Sequence, residues 1–260
     1  MRVKCRDRLR RFPTAQLARL SPFSPLLFAC IPRLSRGRII MARVLLEGFK
    51  RFRKDTYEGA SPLMPQLVQQ GQSPEYFIIS CIDSRSNPGT IFRTAPGTFL
   101  AHKSMGALAR PYRKGTALAA TLEFAVTHNK VREIIVLGHT NCGAVEALIN
   151  GIEGDEISSF LSFAQTRLQE AKDRQKSCCP DHDISRAAEE QIVIDSARNL
   201  KTYPSVQQAL AEDRITIRPW LFVMEEGNIY EYDETKGQFV NITKFDTSSL
   251  SEQKRAGAQS

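Results

Sequence analysis

Two short segments carry the side chains that could do chemistry, residues 81–85 (CIDSR) and 139–142 (HTNC). Thiolate sulfur and imidazole nitrogen are the donors that Zn²⁺ favours, in tetrahedral geometry. Cys81, His139 and Cys142 would supply three such donors and leave a fourth position open, which is typical of a catalytic zinc. Zinc with an open position lowers the pKa of a bound water to about 7 and so supplies a hydroxide nucleophile.

Asp83 and Arg85 lie in the first segment with one residue between them. A carboxylate held by a guanidinium stays ionised and oriented. Asp83 could then accept a hydrogen bond from the hydroxide, orient it, and exclude ligands that have no proton to donate. The two segments together predict metal-assisted attack on a small electrophile.

Each segment follows an apolar, β-branched run that predicts a buried strand, namely residues 76–80 and 134–137. A helical pattern over 117–128 lies between these strands, and another over 144–149 follows the second. This order predicts a parallel sheet. Because ligands collect at the carboxyl ends of the strands in such a sheet, we expect both segments at one edge.

The expected fold is therefore α/β, with a mostly parallel central sheet flanked by helices. Residues 42–52 have apolar side chains at helical spacing and a basic opposite face, which predicts an N-terminal helical arm packed on the body or on a partner. A C-terminal hairpin or edge strand is expected from residues 215–223 and 229–232. Further predicted elements are a strand over 98–102 and helices over 63–70, 153–200 with a break at 177–182, and 206–210.

The net charge of +8 is concentrated at the start of the chain, because residues 1–40 contain ten basic residues and one acid. The remainder is nearly neutral, so a nucleic-acid-binding face has little support. We expect residues 1–40 to be a basic leader that is disordered, serves in targeting, or precedes a translation start at Met41. Residues 41–246 are expected to form a single zinc domain, and 247–260 a disordered tail.

Neither membrane insertion nor a disulfide framework is predicted. No apolar stretch approaches the roughly 20 residues that a spanning helix needs. The cysteines are Cys5, Cys30, Cys81, Cys142, Cys178 and Cys179. Their spacing lacks the density of a secreted disulfide scaffold, which predicts reduced thiols and a cytoplasmic location, with organelle targeting or export through residues 1–40 left open. A second metal site at 178–182 is disfavoured, because adjacent cysteines rarely bind one ion.

Over roughly residues 42–240, the chain resembles the β-class carbonic anhydrase family. Residues 80–85 (SCIDSR) and 138–144 (GHTNCGA) resemble its two zinc motifs, and 122–126 (LEFAV) and 96–97 (PG) also match. The resemblance implies zinc held by the two cysteines and the histidine, an Asp–Arg dyad, and reversible hydration of CO₂ to bicarbonate. It also implies a homodimer or tetramer with the active site near the subunit interface, and neither nucleic acid nor membrane as a partner.

Three further roles are implied by the same resemblance. Gln72, nine residues before Cys81, matches a glutamine that binds substrate across the interface in one branch of the family. Phe124 matches an aromatic residue that lines the pocket, and the Gly143 amide matches a donor to substrate. Ile78 replaces the tryptophan of a bicarbonate-inhibited branch, which favours an open site with water on the zinc.

The stretch 103–107 (KSMGA) departs from the family, which usually reads Arg-Asn-Ala-Gly-Asn there. Since it shapes the pocket floor in the family, substrate preference is open. One alternative is a COS or CS₂ hydrolase on the same scaffold, and another is a catalytically weak zinc-containing binding or regulatory protein. His102 is expected to be structural or to line the pocket, with proton shuttling as the alternative.

Overall fold

The computed structural model describes residues 36–151, 154–178 and 183–244. The predicted tail over 247–260 and residues 1–35 of the predicted leader lie outside them. The chain divides into two compact units, one ending at Asp55 and the other starting at Thr56.

The predicted N-terminal helical arm is present as helix α1, Arg36–Tyr57. It begins at Arg36 rather than at Met41, so residues 36–40 of the predicted leader are helical. Val44, Leu45 and Phe49 are each more than half exposed. The apolar side chains predicted at helical spacing on α1 are therefore exposed in this chain.

The second unit is built on one six-stranded sheet, which confirms the predicted α/β class. Its strand order is β2-β1-β3-β4-β5-β6. The first four strands pair in parallel, and β5 pairs antiparallel with both β4 and β6. The strands are β1 Tyr76–Cys81, β2 Phe99–Ser104, β3 Glu133–His139, β4 Thr216–Val223, β5 Asn228–Asp233 and β6 Gln238–Asn241. The predicted C-terminal hairpin is formed by β4 and β5, and β6 is an additional edge strand.

Helices cover the sheet and connect its parallel strands. The helices after α1 are α2 Leu63–Gln70, α3 Pro88–Ile91, α4 Ala117–Glu123, α5 Gly143–Asn150, α6 Asp155–Cys178, α7 Ile184–Leu200 and α8 Pro204–Ala211. The helix predicted over 117–128 is α4 followed by a π-helical turn, Phe124–His128. The segment predicted as helical over 153–200 contains α6 and α7, and residues 179–182 of its predicted break lie outside the described residues.

The core is divided by the sheet because neighbouring residues of a strand point to opposite faces. On one face, Phe77 and Ile79 of β1 belong to a buried cluster with residues of α4, α7 and α8. On the other face, Ile78 clusters with Ile135 and Leu137 of β3. In the described ranges no helix is both long and apolar enough to cross a bilayer.

Candidate metal centre

Three donor side chains meet at the carboxyl edge of the sheet, as predicted. Cys81 is the last residue of β1, His139 is the last residue of β3, and Cys142 immediately precedes α5. Their donor atoms lie within 4.8 Å of one another. All three residues are at most 4% exposed. They form a buried Cys–His–Cys cluster of the kind that binds a tetrahedral metal ion.

Strand pairing explains why residues so distant in sequence converge. Strands β1 and β3 are parallel neighbours, with Ser80 opposite Leu137 at the last registered pair. Each strand extends beyond the predicted run, so that Cys81 and His139 are part of the sheet itself. A side chain at a strand end is held by the rigid backbone of the sheet. Such support keeps the geometry of a binding site precise.

A short turn brings the third donor back to the other two. Asn141, between β3 and α5, has a φ of 54°. Asparagine tolerates this left-handed conformation better than most residues that carry a side chain. The chain therefore reverses within residues 140–142 and returns Cys142 to a position where its sulfur is 4.0 Å from that of Cys81.

The imidazole of His139 is oriented as a metal ligand. Its Nδ1 donates to the backbone carbonyl of Thr140 at 2.8 Å. Its Nε2 is buried and has no hydrogen-bond partner among the residues that the structure describes. An unsatisfied buried polar atom costs about 1–3 kcal/mol, whereas a metal ion at this nitrogen would remove that cost. The donor set and the orphaned nitrogen both fit zinc.

The two thiols interact strongly. The hydrogen bond from Cys142 lowers the pKa of Cys81 to about 4, and the same contact raises the pKa of Cys142. In the absence of metal, the pair therefore retains one proton between the two sulfurs. Because a metal needs both sulfurs as thiolates, binding must release this proton.

Two contacts that the sequence did not predict support the thiols. The amide of Gly106 donates to the Cys81 sulfur at 3.3 Å. The Cys142 amide donates to Oε1 of Glu189 in α7 at 3.0 Å. Burial raises the pKa of Glu189 to about 7. The atypical stretch 103–107 thus reaches the cluster through the one residue that it shares with the family pattern.

Asp83 and Arg85 form a two-point ion pair beside the cluster. Arg85 Nε lies 3.1 Å from Asp83 Oδ1, and its Nη2 lies 2.8 Å from Oδ2. The pair lowers the pKa of Asp83 to about 2, so the carboxylate is ionised at neutral pH. Arg85 Nη2 also donates to the carbonyl of Asn141 at 3.0 Å, which ties the two predicted segments together.

A further residue that no local pattern indicated is Glu225, in the turn between β4 and β5. Its carboxylate accepts hydrogen bonds from the side chains of Thr140 and Asn141. The bond from Thr140 is the main reason that the pKa of Glu225 lies below its usual value. The turn that carries Cys142 is therefore fastened to the hairpin by a carboxylate.

The other predicted site residues lie in α5, in the loop before β1, in the π-helical turn and on β2. Gly143 is the first residue of α5 and follows the Cys142 donor directly. Gln72 is exposed in the loop before β1, and its side chain makes no hydrogen bond among the described residues. Phe124 is 53% exposed, with its ring centroid 5.6 Å from that of His128. His102 is half-buried on the edge strand β2, and burial lowers its pKa.

Comparison with known proteins gives a consistent family. A family model described as carbonic anhydrase matches residues 76–229, more than half of the chain. Carbonic anhydrase 1 of Escherichia coli O157:H7 is 32% identical over 202 residues, spanning 76% of this chain and 91% of that protein. A carbonic anhydrase of Synechococcus elongatus is 27% identical over 205 residues, spanning 77% and 75%.

Solved structures agree with this relationship. The structure of the β-carbonic anhydrase CcaA has a TM-score of 0.70 at 26% identity, covering 77% of this chain and 99% of that one. A tetrameric β-carbonic anhydrase of Sordaria macrospora shares the fold, with a TM-score of 0.62 at 23% identity over 75% of this chain and 95% of its own. The chain therefore belongs to the β-class carbonic anhydrase family, whose members are carbonate dehydratases.

Proposed function

We propose that the protein catalyses the zinc-dependent, reversible hydration of CO₂ to bicarbonate and a proton. The observation that carries the proposal is the buried Cys–His–Cys cluster beside an ionised carboxylate. Family membership supplies the reaction class.

Cys81, His139 and Cys142 would hold the ion, with Nε2 as the histidine donor. The proposal of zinc is supported by the donor chemistry and by the orphaned state of that nitrogen. Zinc in such a site supplies Lewis acidity that makes water a nucleophile at neutral pH. Three protein donors leave room for one small ligand.

Asp83 is proposed to orient the nucleophile. Its carboxylate stays charged because Arg85 binds both oxygens, and a charged carboxylate only accepts hydrogen bonds. It can therefore accept a hydrogen bond from an oxygen that carries a proton, which fixes the orientation of that oxygen. It repels an anion that has no proton. Arg85 acts by holding Asp83 and has no other role in this proposal.

Substrate contacts are proposed for three residues. The Gly143 amide lies in the first turn of α5, where amides are unpaired within the helix and favour a developing negative charge. Phe124 would line the pocket, and Gln72 would reach the pocket of a partner subunit. The exposure of both side chains in the single chain is compatible with a position at a subunit interface.

A homodimer or tetramer is proposed as the working assembly, and the cytoplasm as its location. The solved Sordaria macrospora relatives are described as tetrameric, which supports an oligomer. The free thiols Cys81 and Cys142 support a reducing compartment. Residues 41–246 are proposed as the domain that carries the activity.

Stopped-flow measurement of CO₂ hydration by the purified, zinc-loaded protein tests the proposal. We expect turnover far above the buffer rate, and we expect metal-free protein to lose it. A rate equal to that of buffer would overturn the proposal and favour a binding or regulatory protein.

A second candidate function is hydrolysis of COS or CS₂, favoured by the altered stretch 103–107. This stretch touches the Cys81 sulfur through Gly106, so its sequence can alter the space beside the metal. Release of H₂S from COS or CS₂, without CO₂ hydration, would select this alternative.

A further inference from the structure

We propose that Glu225 is a positioning residue for the reaction, because it fixes the two backbone carbonyls that orient His139 and Arg85. The expected effect of Glu225 on the reaction rate rests on the proposed function. The expected effect on the orientation of His139 and Arg85 rests on contacts within this chain.

The two carbonyls belong to consecutive residues. The Thr140 carbonyl accepts the hydrogen bond from His139 Nδ1 at 2.8 Å. The Asn141 carbonyl accepts the hydrogen bond from Arg85 Nη2 at 3.0 Å. The orientation of this dipeptide therefore decides how the imidazole faces the metal position and how the guanidinium holds Asp83.

Glu225 holds the same dipeptide by its side chains. Its Oε2 accepts from the Thr140 hydroxyl at 2.7 Å, and its Oε1 accepts from the Asn141 amide group. Each carboxylate oxygen is thus assigned to one of the two residues. The Thr140 hydroxyl in turn accepts from the Met224 amide at 2.9 Å, so the contact is part of a connected network.

The backbone at Asn141 explains why such an anchor is useful. Its φ of 54° is a left-handed conformation, which asparagine adopts more readily than most residues with a side chain but less readily than glycine. The neighbouring peptide is fixed to β4 by the bond from the Thr140 amide to the Phe222 carbonyl at 3.0 Å. The Asn141 side chain is held by Glu225, so removing that carboxylate removes one of the contacts that fix the orientation of this residue.

The next residue in the turn provides a matched control. The Glu226 carboxylate accepts from the Asn228 side chain at 2.9 Å and from the Tyr230 hydroxyl at 2.6 Å. These partners stabilise the β4–β5 hairpin itself and do not involve the Thr140–Asn141 dipeptide. A purely structural role for Glu225 would make Glu225→Ala and Glu226→Ala equivalent.

The first experiment compares these two variants by cobalt substitution and by activity. The absorption bands of Co²⁺ bound to the cluster report its ligand geometry. We expect Glu225→Ala to alter the bands and to lower kcat by about tenfold, the low end of the range for losing a partner that orients a ligand, because Glu225 acts through one intervening residue. We expect Glu226→Ala to match the wild type in both readouts. If either readout fails to separate the two variants, the inference is overturned.

The second experiment is a double-mutant cycle with Asp83→Asn. Because part of its effect acts through Arg85 and Asp83, Glu225→Ala should lower kcat by a smaller factor in the Asp83→Asn background than in the wild-type background. An equal loss in both backgrounds would overturn the inference. Should Glu225→Ala fail to fold, Glu225→Gln replaces it, since the amide keeps the shape and loses one acceptor. Its expected loss is about threefold, and no loss would overturn the inference.

Failure of this inference can be told apart from failure of the proposed function. A wild-type protein without CO₂ hydration would overturn the proposed function, and the cobalt spectra would still test the role of Glu225. An active wild type whose Glu225→Ala variant is unchanged would overturn only the inference.

Discussion

Gly138 and Val193 touch so closely that a Cβ atom on Gly138 would overlap Cγ2 of Val193. Helix α7 therefore lies against β3 with the Val193 side chain packed on the backbone of the strand, at the residue just before His139. This contact sets the distance between the sheet edge and the helix that carries Glu189.

Gly138→Ala should destabilise the fold by about 1–3 kcal/mol, because one methyl group must be forced into a filled space. Weaker metal binding should accompany this loss, since His139 is the next residue. Urea unfolding and chelator competition measure the two effects. Adding Val193→Ala should recover part of the lost stability, whereas additive losses would contradict the contact. Gly143→Ala is the stability control, as its Cβ would meet nothing within 4 Å.

Cys142→Ser should lose metal and stability together, because a hydroxyl is a poor zinc ligand and binding energy at such a site is folding energy. We expect sub-stoichiometric zinc after purification and a lower urea midpoint. Cys178→Ser changes a thiol that is not one of the three donors and should retain the metal. Full zinc occupancy in Cys142→Ser would show that the donor set is wrong.

Asp83→Asn should keep the metal and lower kcat by about 10²-fold, the cost typical of losing the correct position of a reacting group. The amide can still contact Arg85 poorly, but it no longer carries the charge that orients the nucleophile. Zinc content and stopped-flow rates measured on one preparation separate these effects. Asp233→Asn, the same change at the last residue of β5, serves as the control. Unchanged turnover in Asp83→Asn would remove the role proposed for the pair.

Tyr203 gives a prediction about alkaline stability. Its hydroxyl donates to the Arg110 carbonyl at 2.9 Å, and burial raises its pKa to about 12. Since the unfolded tyrosine ionises near pH 10, the neutral folded form stabilises the protein fully below pH 10 and loses this contribution as pH rises to about 12. The decline attributable to Tyr203 is roughly 2–3 kcal/mol.

Tyr203→Phe tests this by urea unfolding at neutral and alkaline pH. The variant should be less stable by about 1 kcal/mol at pH 7, because it leaves the Arg110 carbonyl without its donor. Its stability should then fall less between pH 10 and 12 than that of the wild type. Tyr232→Phe, at a half-buried position in β5, should keep the wild-type decline. Parallel curves for all three proteins would contradict the assignment.

The Cys–His–Cys cluster and the strands beside it could be predicted because the signals are local. Cys81 and His139 each follow a β-branched run, and Cys142 lies three residues after His139. Local signals also predicted the hairpin of β4 and β5. They failed for β6, whose four residues are too short for a recognisable alternation.

The supporting carboxylates could not be predicted for a different reason. Glu189 lies 47 residues from Cys142 and Glu225 lies 84 residues from Asn141, so only the folded packing brings them together. Nothing in the surrounding residues distinguishes Glu225 from its neighbour Glu226. Their roles depend on the direction in which each side chain leaves the turn, and the local sequence does not predict that direction.

The placement of Cys81 and Cys142 on different parts of the sheet edge has a consequence for the order of folding. Residues 139–142 hold two donors within one turn, but the third comes from a strand 61 positions earlier than Cys142. Closing a loop of that length costs chain entropy before any contact repays it. The three side chains can therefore bind one metal ion together only after β1 and β3 have paired. Refolding with and without metal should then share the same early phases and differ only in the last phase, because the ion binds to a sheet that has already formed.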